Sequence, residues 1–266
     1  MLKLYNSPTS VCSLKVRLGL AEKGLDWQDE IFNLQKGEQH DSEYLKLNPN
    51  GVVPTLVDDE VVVIESSIIL EYIDELSDEH PLMPTDKQKM AVTKEWLLRC
   101  LDIHAAINTM TFSTVMRDKI LANKTPEEIE ASIAKMPIPK MAEKRRDMIA
   151  NGTDSDHLIN DFFTLKRMFD DMQAALEKSQ WLTGDDFALA DVALLAYVDR
   201  LERLGMSGLW ESRTPEVGEW LAAAQQRPSY ERAMRAYVSA EETTATRSAA
   251  EKHWPKVKQR WEEFLG

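Results

Sequence analysis

Apolar and polar positions follow two different periods along the chain. In the first 76 residues, short stretches of period two are separated by stretches in which apolar side chains recur every three to four positions, as expected of strands alternating with helices. Residues 2–5 predict a short strand. Val11, Leu14, Val16, Leu18, Leu20 and Ala21 predict an apolar helix closed by Lys23-Gly24, since glycine readily adopts the left-handed conformation that ends helices. Residues 27–33 read as a second strand, and a short helical piece follows a polar stretch at 44–47. The turn Asn48-Pro49-Asn50-Gly51 leads into apolar stretches at 52–57 and 61–64, which the acidic turn Asp58-Asp59-Glu60 joins into an antiparallel hairpin. Residues 66–76 close the unit as a helix, giving the order β-α-β-α-β-β-α.

Residues 77–86 carry Pro81, Pro84 and several charges, the composition of a linker between domains. From Lys87 onward the period is 3.6, with apolar faces at 92–101, 158–176, 192–204 and 217–224 and no strand pattern among them. The class expected is therefore α/β followed by all-α, divided as 1–76, 77–86 and 87–266. Residues 123–155 form a longer insertion than a connector requires, with a helix start at Thr125-Pro126-Glu127-Glu128, then Met136-Pro137-Ile138-Pro139 and the basic Lys144-Arg145-Arg146. It is either a solvated helical hairpin or the lining of a site. Residues 240–266 predict a polar break and then an amphipathic helix through Trp254, Val257, Trp261 and Phe264.

Composition removes several function classes. The longest apolar run, 192–198, is far below the roughly 20 residues of a membrane helix. The N-terminus lacks the basic segment and apolar core of a secretion signal, so the expected location is cytoplasmic. Two cysteines, Cys12 and Cys100, build neither a disulfide framework nor a cysteine-rich zinc site, and no metal is expected. A net charge of −13 argues against a nucleic-acid partner, which needs clustered positive charge. In the first 76 residues, 6 Lys and Arg face 14 Asp and Glu, so an anionic ligand there must be held by local dipoles.

Three short segments carry candidate chemistry. Pro54 falls at the start of a strand, where a proline either marks an edge or sits in a cis bond that turns the Val53 backbone outward to pair with a peptide-like ligand. Glu65 and Ser66 stand where a strand passes into a helix. Ser66 either caps that helix or, with its exposed N–H groups, holds a carboxylate while Glu65 pairs with an ammonium, a match for an amino-acid zwitterion. Ser7-Pro8-Thr9-Ser10-Val11-Cys12-Ser13 opens the first helix. Its hydroxyls either cap the helix or donate to a bound thiolate, because a helix N-terminus favours the ionised form of a thiol.

This combination resembles the cytosolic glutathione transferases over nearly the whole chain, through a thioredoxin-like domain, a linker and a helical domain. The residues that carry the resemblance are Asn48-Pro49-Asn50-Gly51-Val52-Val53-Pro54-Thr55-Leu56, Glu65-Ser66 and Phe187-Ala188-Leu189-Ala190-Asp191-Val192-Ala193. It implies that Pro54 is cis, that the Val53 backbone pairs with the cysteinyl part of glutathione, and that Glu65 and Ser66 hold its γ-glutamyl end. His40, with Gln39 or Lys36, is implied near the glycyl carboxylate. One mark is broken: Ala188 stands where the core helix usually carries a Ser or Thr cap.

Ser10-Val11-Cys12-Ser13-Leu14-Lys15-Val16-Arg17 is similar to the serine-type active-site segment, which favours Ser10 as the thiol contact. It is also similar to the start of bacterial β-etherases that cleave lignin-derived aryl ethers, which favours Ser13. The insertion at 123–155 resembles one in those etherases and in related fungal transferases. The implied function is attack of the glutathione thiolate on a hydrophobic aromatic electrophile, including displacement of a phenolate from a β-aryl ether, by a homodimer. Trp96, Ile107, Met110 and Phe112 either contact that electrophile or fill the core. The alternatives are thiol–disulfide exchange or deglutathionylation through Cys12, and a noncatalytic glutathione-binding scaffold.

Overall fold

The computed structural model describes residues 1–136 and 139–266. Pro137 and Ile138, part of the proline-rich stretch singled out in the insertion, lie outside the described residues. The N-terminal unit runs β1 (Leu2–Asn6), α1 (Val11–Glu22), β2 (Trp27–Ile31), a turn of 3-10 helix (Glu38–His40), α2 (Ser42–Leu47), β3 (Thr55–Asp58), β4 (Val61–Ile64) and α3 (Ser66–Glu75). The strands form one mixed sheet in the order β2-β1-β3-β4. β1 and β2 are parallel, as their connection through α1 requires, while β3 is antiparallel to both β1 and β4.

Alternation along β1 sorts the layers. Leu2 and Leu4 face α1 and α3 and pack with Val16, Leu20, Leu56, Val63, Ile69 and Ile73. Tyr5, one residue out of phase, points to the other face, where its ring lies 5.5 Å from that of Tyr44 on α2. Phe32 meets Tyr44 edge to face at 4.6 Å. The predicted strands at 27–33 and 52–57 are shorter than expected at one end each. Phe32 still donates its N–H to the Asn6 carbonyl beyond β2, and pairing of β3 begins only at Thr55, after the cis Val53–Pro54 bond.

The chain then turns helical: α4 (Lys87–Thr111), a π-helical turn (Phe112–Met116), α5 (Arg117–Asn123), α6 (Pro126–Ala134), α7 (Pro139–Asn151), α8 (His157–Leu176), α9 (Leu189–Arg203), α10 (Glu216–Ala224), α11 (Pro228–Tyr230) with a second π-helical turn (Glu231–Arg235), α12 (Ala240–Glu251) and α13 (Trp254–Leu265). Residues 240–251 are helical where a polar break is expected from composition. Ser239 and Glu242 cap α12 reciprocally, side chain to backbone N–H in each direction. The amphipathic helix expected through Trp254 and Trp261 is present as α13.

α9 is the core helix, buried on nearly all sides against α1, α4 and α10. With no side-chain cap from Ala188, the buried Asp191 carboxylate accepts the N-cap N–H and ties the helix start to two neighbouring segments. Oδ2 accepts the Ala188 N–H at 3.0 Å, and Oδ1 accepts the Leu182 N–H at 3.0 Å and Trp220 Nε1–H at 2.8 Å. The linker is pinned rather than free: Asp74 accepts the N–H groups of Leu82 and Met83 and pairs with Lys23 at 3.1 Å. Among the described residues, no helix is long and apolar enough to cross a membrane.

Candidate active site

The loop 7–10 and the first turn of α1 are built around buried cations. Arg17, without solvent exposure, donates to Asn6 Oδ1 at 2.7 Å, to the carbonyls of Ser7 and Pro8 at 3.2 and 3.1 Å, and through Nε to Ala233 at 2.8 Å. Burial lowers its pKa to about 10. Arg200 on α9 donates to the Thr9 carbonyl, and burial lowers its pKa to about 9. Lys15, also fully buried, donates to Ser67 Oγ at 2.6 Å, tying α1 to α3. Lys15 acts on both Cys12 and His104, Arg200 acts on His104, and with the N-terminal dipole of α1 they put positive charge beside the first turn of that helix in an acidic protein.

The candidate hydroxyls and thiol occupy different environments there. Ser10 is the N-cap of α1: its Oγ accepts the Ser13 N–H at 3.2 Å, its side chain is partly exposed, and its O–H remains available to donate. Ser13 is fully buried, and its Oγ accepts the Ser7 N–H at 3.3 Å. Cys12 is partly exposed, with Sγ 3.4 Å from Nδ1 of His104 on α4. Burial raises the Cys12 pKa, but the charge and hydrogen bond of His104, with Lys15 and Ser66, outweigh it and leave the thiol below its ordinary range. Burial likewise lowers His104, and Cys12 more than compensates, leaving the imidazole above its ordinary value.

Of the segments expected to hold a γ-glutamyl-cysteinyl-glycine chain, the start of α3 is brought to α1 by Ser66 at Cys12 and by Ser67 at Lys15. Tyr44 Oη and Asn48 Nδ2 both donate to the Val52 carbonyl, at 2.5 and 2.9 Å, and both contact Thr55 Oγ1, clamping the turn that presents Val53. Among the described residues, no hydrogen bond engages the Val53 N–H or C=O. Glu65 is exposed and holds φ +68° immediately before α3, so its side chain is free where the first N–H groups of that helix are also free; Ser66 is half-buried beside it. His40 lies over Gly51, whose φ is +59°; a Cβ at that position would stand 2.9 Å from His40 Cδ2, so glycine is required by both backbone and neighbour.

His40, Gln39 and Lys36 form one wall of a cleft of about 870 Å³, and the insertion forms the other. The insertion has its own small core of Ile129, Ile133 and Ala142, backed by Ile120, Met136 and Ile149. Of the residues considered for an aromatic substrate, Trp96, Ile107, Met110 and Phe112 are all at most 4% exposed, and Trp96, Ile107 and Met110 belong to the main core.

A model of the glutathione S-transferase N-terminal domain matches residues 1–75, and one of the C-terminal domain matches residues 164–223. Protein LigF of Sphingobium sp. is 31% identical over 237 residues, covering 86% of this chain and 91% of that protein. The chain belongs to the glutathione S-transferase family. It is an enzyme of that family, and glutathione is its co-substrate. The crystal structure of β-etherase LigF from Sphingobium sp. strain SYK-6 superposes with a TM-score of 0.76 at 28% identity, covering 88% of this chain and 99% of that one. A tetrachloro-p-hydroquinone reductive dehalogenase of Sphingobium chlorophenolicum is 26% identical over 86% of this transferase and 94% of its own length.

Sequence reasoning missed His104 and the part played by Lys15 and Arg200. The signal for His104 is a polar residue interrupting the apolar succession Trp96, Cys100, Ile103, Ile107 on α4. Lys15 is a charge set between the apolar Leu14 and Val16 in the middle of α1. Neither pattern says which partner it meets, because the partners lie 92 and 52 residues away.

Proposed function

We propose that this transferase directs the glutathione thiolate at a hydrophobic aromatic electrophile, with β-aryl ethers bearing an adjacent ketone as substrates. This reading rests on Ser10, whose O–H is free at the N-terminus of α1, one residue after the Thr9 carbonyl that Arg200 holds. Ser10 donates to the glutathione sulfur and holds it as thiolate. Ser13 serves the loop instead, since its hydroxyl is enclosed and already bonded to Ser7. Val53, Glu65, Ser66 and His40 bind the peptide parts of glutathione around it.

In the ether reaction the thiolate forms a C–S bond at the carbon α to the ketone as the C–O bond breaks, with its electron pair leaving on the phenolate, which takes up a proton. The adjacent carbonyl activates the carbon, so the protein supplies thiolate and alignment. Similarity to the etherase LigF supports this substrate class. The test is incubation with glutathione and a β-aryl ether ketone, followed by mass spectrometry. A glutathione thioether formed in step with released phenol supports the reaction; conjugation of an aromatic halide without ether cleavage removes the ether from it.

A second reading is favoured by the Cys12–His104 contact, in which a Cys12 thiolate attacks a glutathione disulfide sulfur and expels the other thiolate. Replacement of Cys12 by Ser separates the two, abolishing exchange and sparing conjugation. We also assign a homodimer, for which exposed Leu98, Leu101 and Ile68 (71%, 62% and 54%) offer an apolar surface, α3 and α4 being joined by the Ser67 hydroxyl on the Leu97 carbonyl at 2.9 Å.

A further inference from the structure

The cleft between the 34–40 loop and the insertion has an unusual charge balance for this chain. The protein has 45 acidic residues against 32 basic ones. Yet the lining of the cleft includes Lys36, Lys119, Lys124, Lys135 and Arg145, and no Asp or Glu among the described residues. The remaining lining of the insertion side is largely apolar, including Met116, Ile120, Ile129 and Ile133. Such a surface suits a ligand that is greasy in its body and anionic at one end.

Arg145 is the most informative of these cations. It is half-buried, and its guanidinium carbon lies 3.9 Å from the centre of the Phe112 ring, in the π-helical turn that ends α4. Its neighbour Arg146 is held by Glu130, and Lys144 by Asp161. Arg145 has no carboxylate or carbonyl partner among the described residues, and burial holds its pKa below the ordinary value with no acid nearby to offset it. A desolvated guanidinium held over an aromatic ring, with no acid partner among the described residues, is prepared to receive a carboxylate in two-pronged fashion. A π-helical turn at that point is consistent with a site, since such turns recur where function demands irregular geometry.

We infer that Arg145, with Lys119, Lys124 and Lys135, forms a carboxylate subsite that selects aromatic electrophiles carrying an acidic group. This rests on the reading of the enzyme as a transferase acting on aromatic electrophiles and names the charge class of that substrate. The spacing fits: Phe112 lies eight residues beyond His104 on the same continuous helical path, about 12 Å along it at 1.5 Å per residue. His104, in contact with Cys12 in the first turn of α1, and Phe112, beneath Arg145, thus stand about as far apart along one helical path as the ends of a two-ring aryl ether with a terminal carboxylate. Lys36 and His40, on the opposite wall, are left for the glycyl end of glutathione.

The test measures binding without turnover. The full-length protein, its glutathione site filled by unreactive S-methylglutathione, is titrated calorimetrically with 4-phenoxybenzoate and with the methyl ester of the same acid. The acid is expected to bind about tenfold more tightly or better, and Arg145→Met to erase that preference while leaving ester affinity in place. Raising salt from about 0.02 M to about 0.5 M is expected to weaken the acid several-fold and the ester little. Equal affinities for acid and ester overturn the subsite, as does a preference that survives Arg145→Met or one insensitive to salt. Should Arg145→Met fail to fold, Lys119→Gln and the salt series on the unaltered protein decide between the same two outcomes. An Arg145 variant weakened only toward glutathione itself would reassign the cation to the co-substrate and also overturn it. Discrimination of acid from ester in a protein that cleaves no aryl ether would leave the subsite standing and remove the ether reaction.

Discussion

Ser10 combines two duties that a pair of substitutions can separate. As N-cap of α1 its Oγ accepts the Ser13 N–H at 3.2 Å, and in the proposed mechanism its O–H donates to the glutathione thiolate. Ser10→Ala removes both. Loss of the cap costs about 1 kcal/mol of stability, whereas glycine at an N-cap costs only a few tenths. A hydrogen bond to a charged group contributes roughly 1.5–3 kcal/mol, so losing it lowers kcat/KM about 10- to 100-fold in either variant. The backbone at Ser10 is extended, φ −75° and ψ 126°, which glycine adopts without strain. Ser10→Ala and Ser10→Gly should therefore lose conjugating activity equally and differ in unfolding free energy by several tenths of a kcal/mol or more, read by urea titration and by turnover of a generic aromatic halide. Ser10→Thr, which keeps a hydroxyl, should recover much of the activity. If Ser10→Gly retains full activity, or if loss of activity tracks loss of stability across the series, the role given to the Ser10 hydroxyl is wrong.

Other expectations follow from the same geometry. Because His104 and Lys15 hold the Cys12 thiol below its ordinary range, the rate of its alkylation should rise with pH at a lower midpoint than that of an unperturbed cysteine; His104→Phe should move that midpoint up, and an unchanged profile would count against the pair. Asp191→Ala strands three buried donors, Leu182 N–H, Ala188 N–H and Trp220 Nε1–H, and should destabilise the protein by about 3–5 kcal/mol in urea unfolding. Gly51→Ala, with φ +59° and His40 at contact distance, should cost about 1–2 kcal/mol and raise the glutathione KM, measured with the electrophile saturating. Leu98→Glu on the exposed apolar face should shift the protein toward monomer in light scattering if that face joins two subunits, and a monomeric unaltered protein would remove the homodimer.

The strands, the core helices and the turn with the cis Val53–Pro54 bond were legible because each depends on local pattern: period two in β1, an apolar helix ended by Gly24, and Asn48 to Pro54 with its turn residues. α12 was misread because it carries no large apolar side chain and so shows no hydrophobic period, although its Ala and Glu content and the Ser239–Glu242 spacing favour a helix. The choice between Ser10 and Ser13 was invisible in sequence, since both are small hydroxyls at a helix start. Only the return of the chain, which brings the Ser7 N–H onto Ser13, separates an enclosed hydroxyl from an available one. His104 and Arg145 were out of reach for a related reason: what matters about each is the partner it has or lacks, and those partners are distant in the chain.

If the first turn of α1 ionises bound glutathione through Ser10, the thiolate forms on the protein at a pH where free glutathione is largely protonated. The most direct test is the ultraviolet difference absorption of the glutathione thiolate on addition of glutathione to the protein at neutral pH, recorded in a Cys12→Ser background to remove the protein's own nearby thiol. A thiolate band should appear in that background and vanish when Ser10→Gly is added. A band that survives the loss of Ser10, or that never forms although glutathione binds, would contradict it.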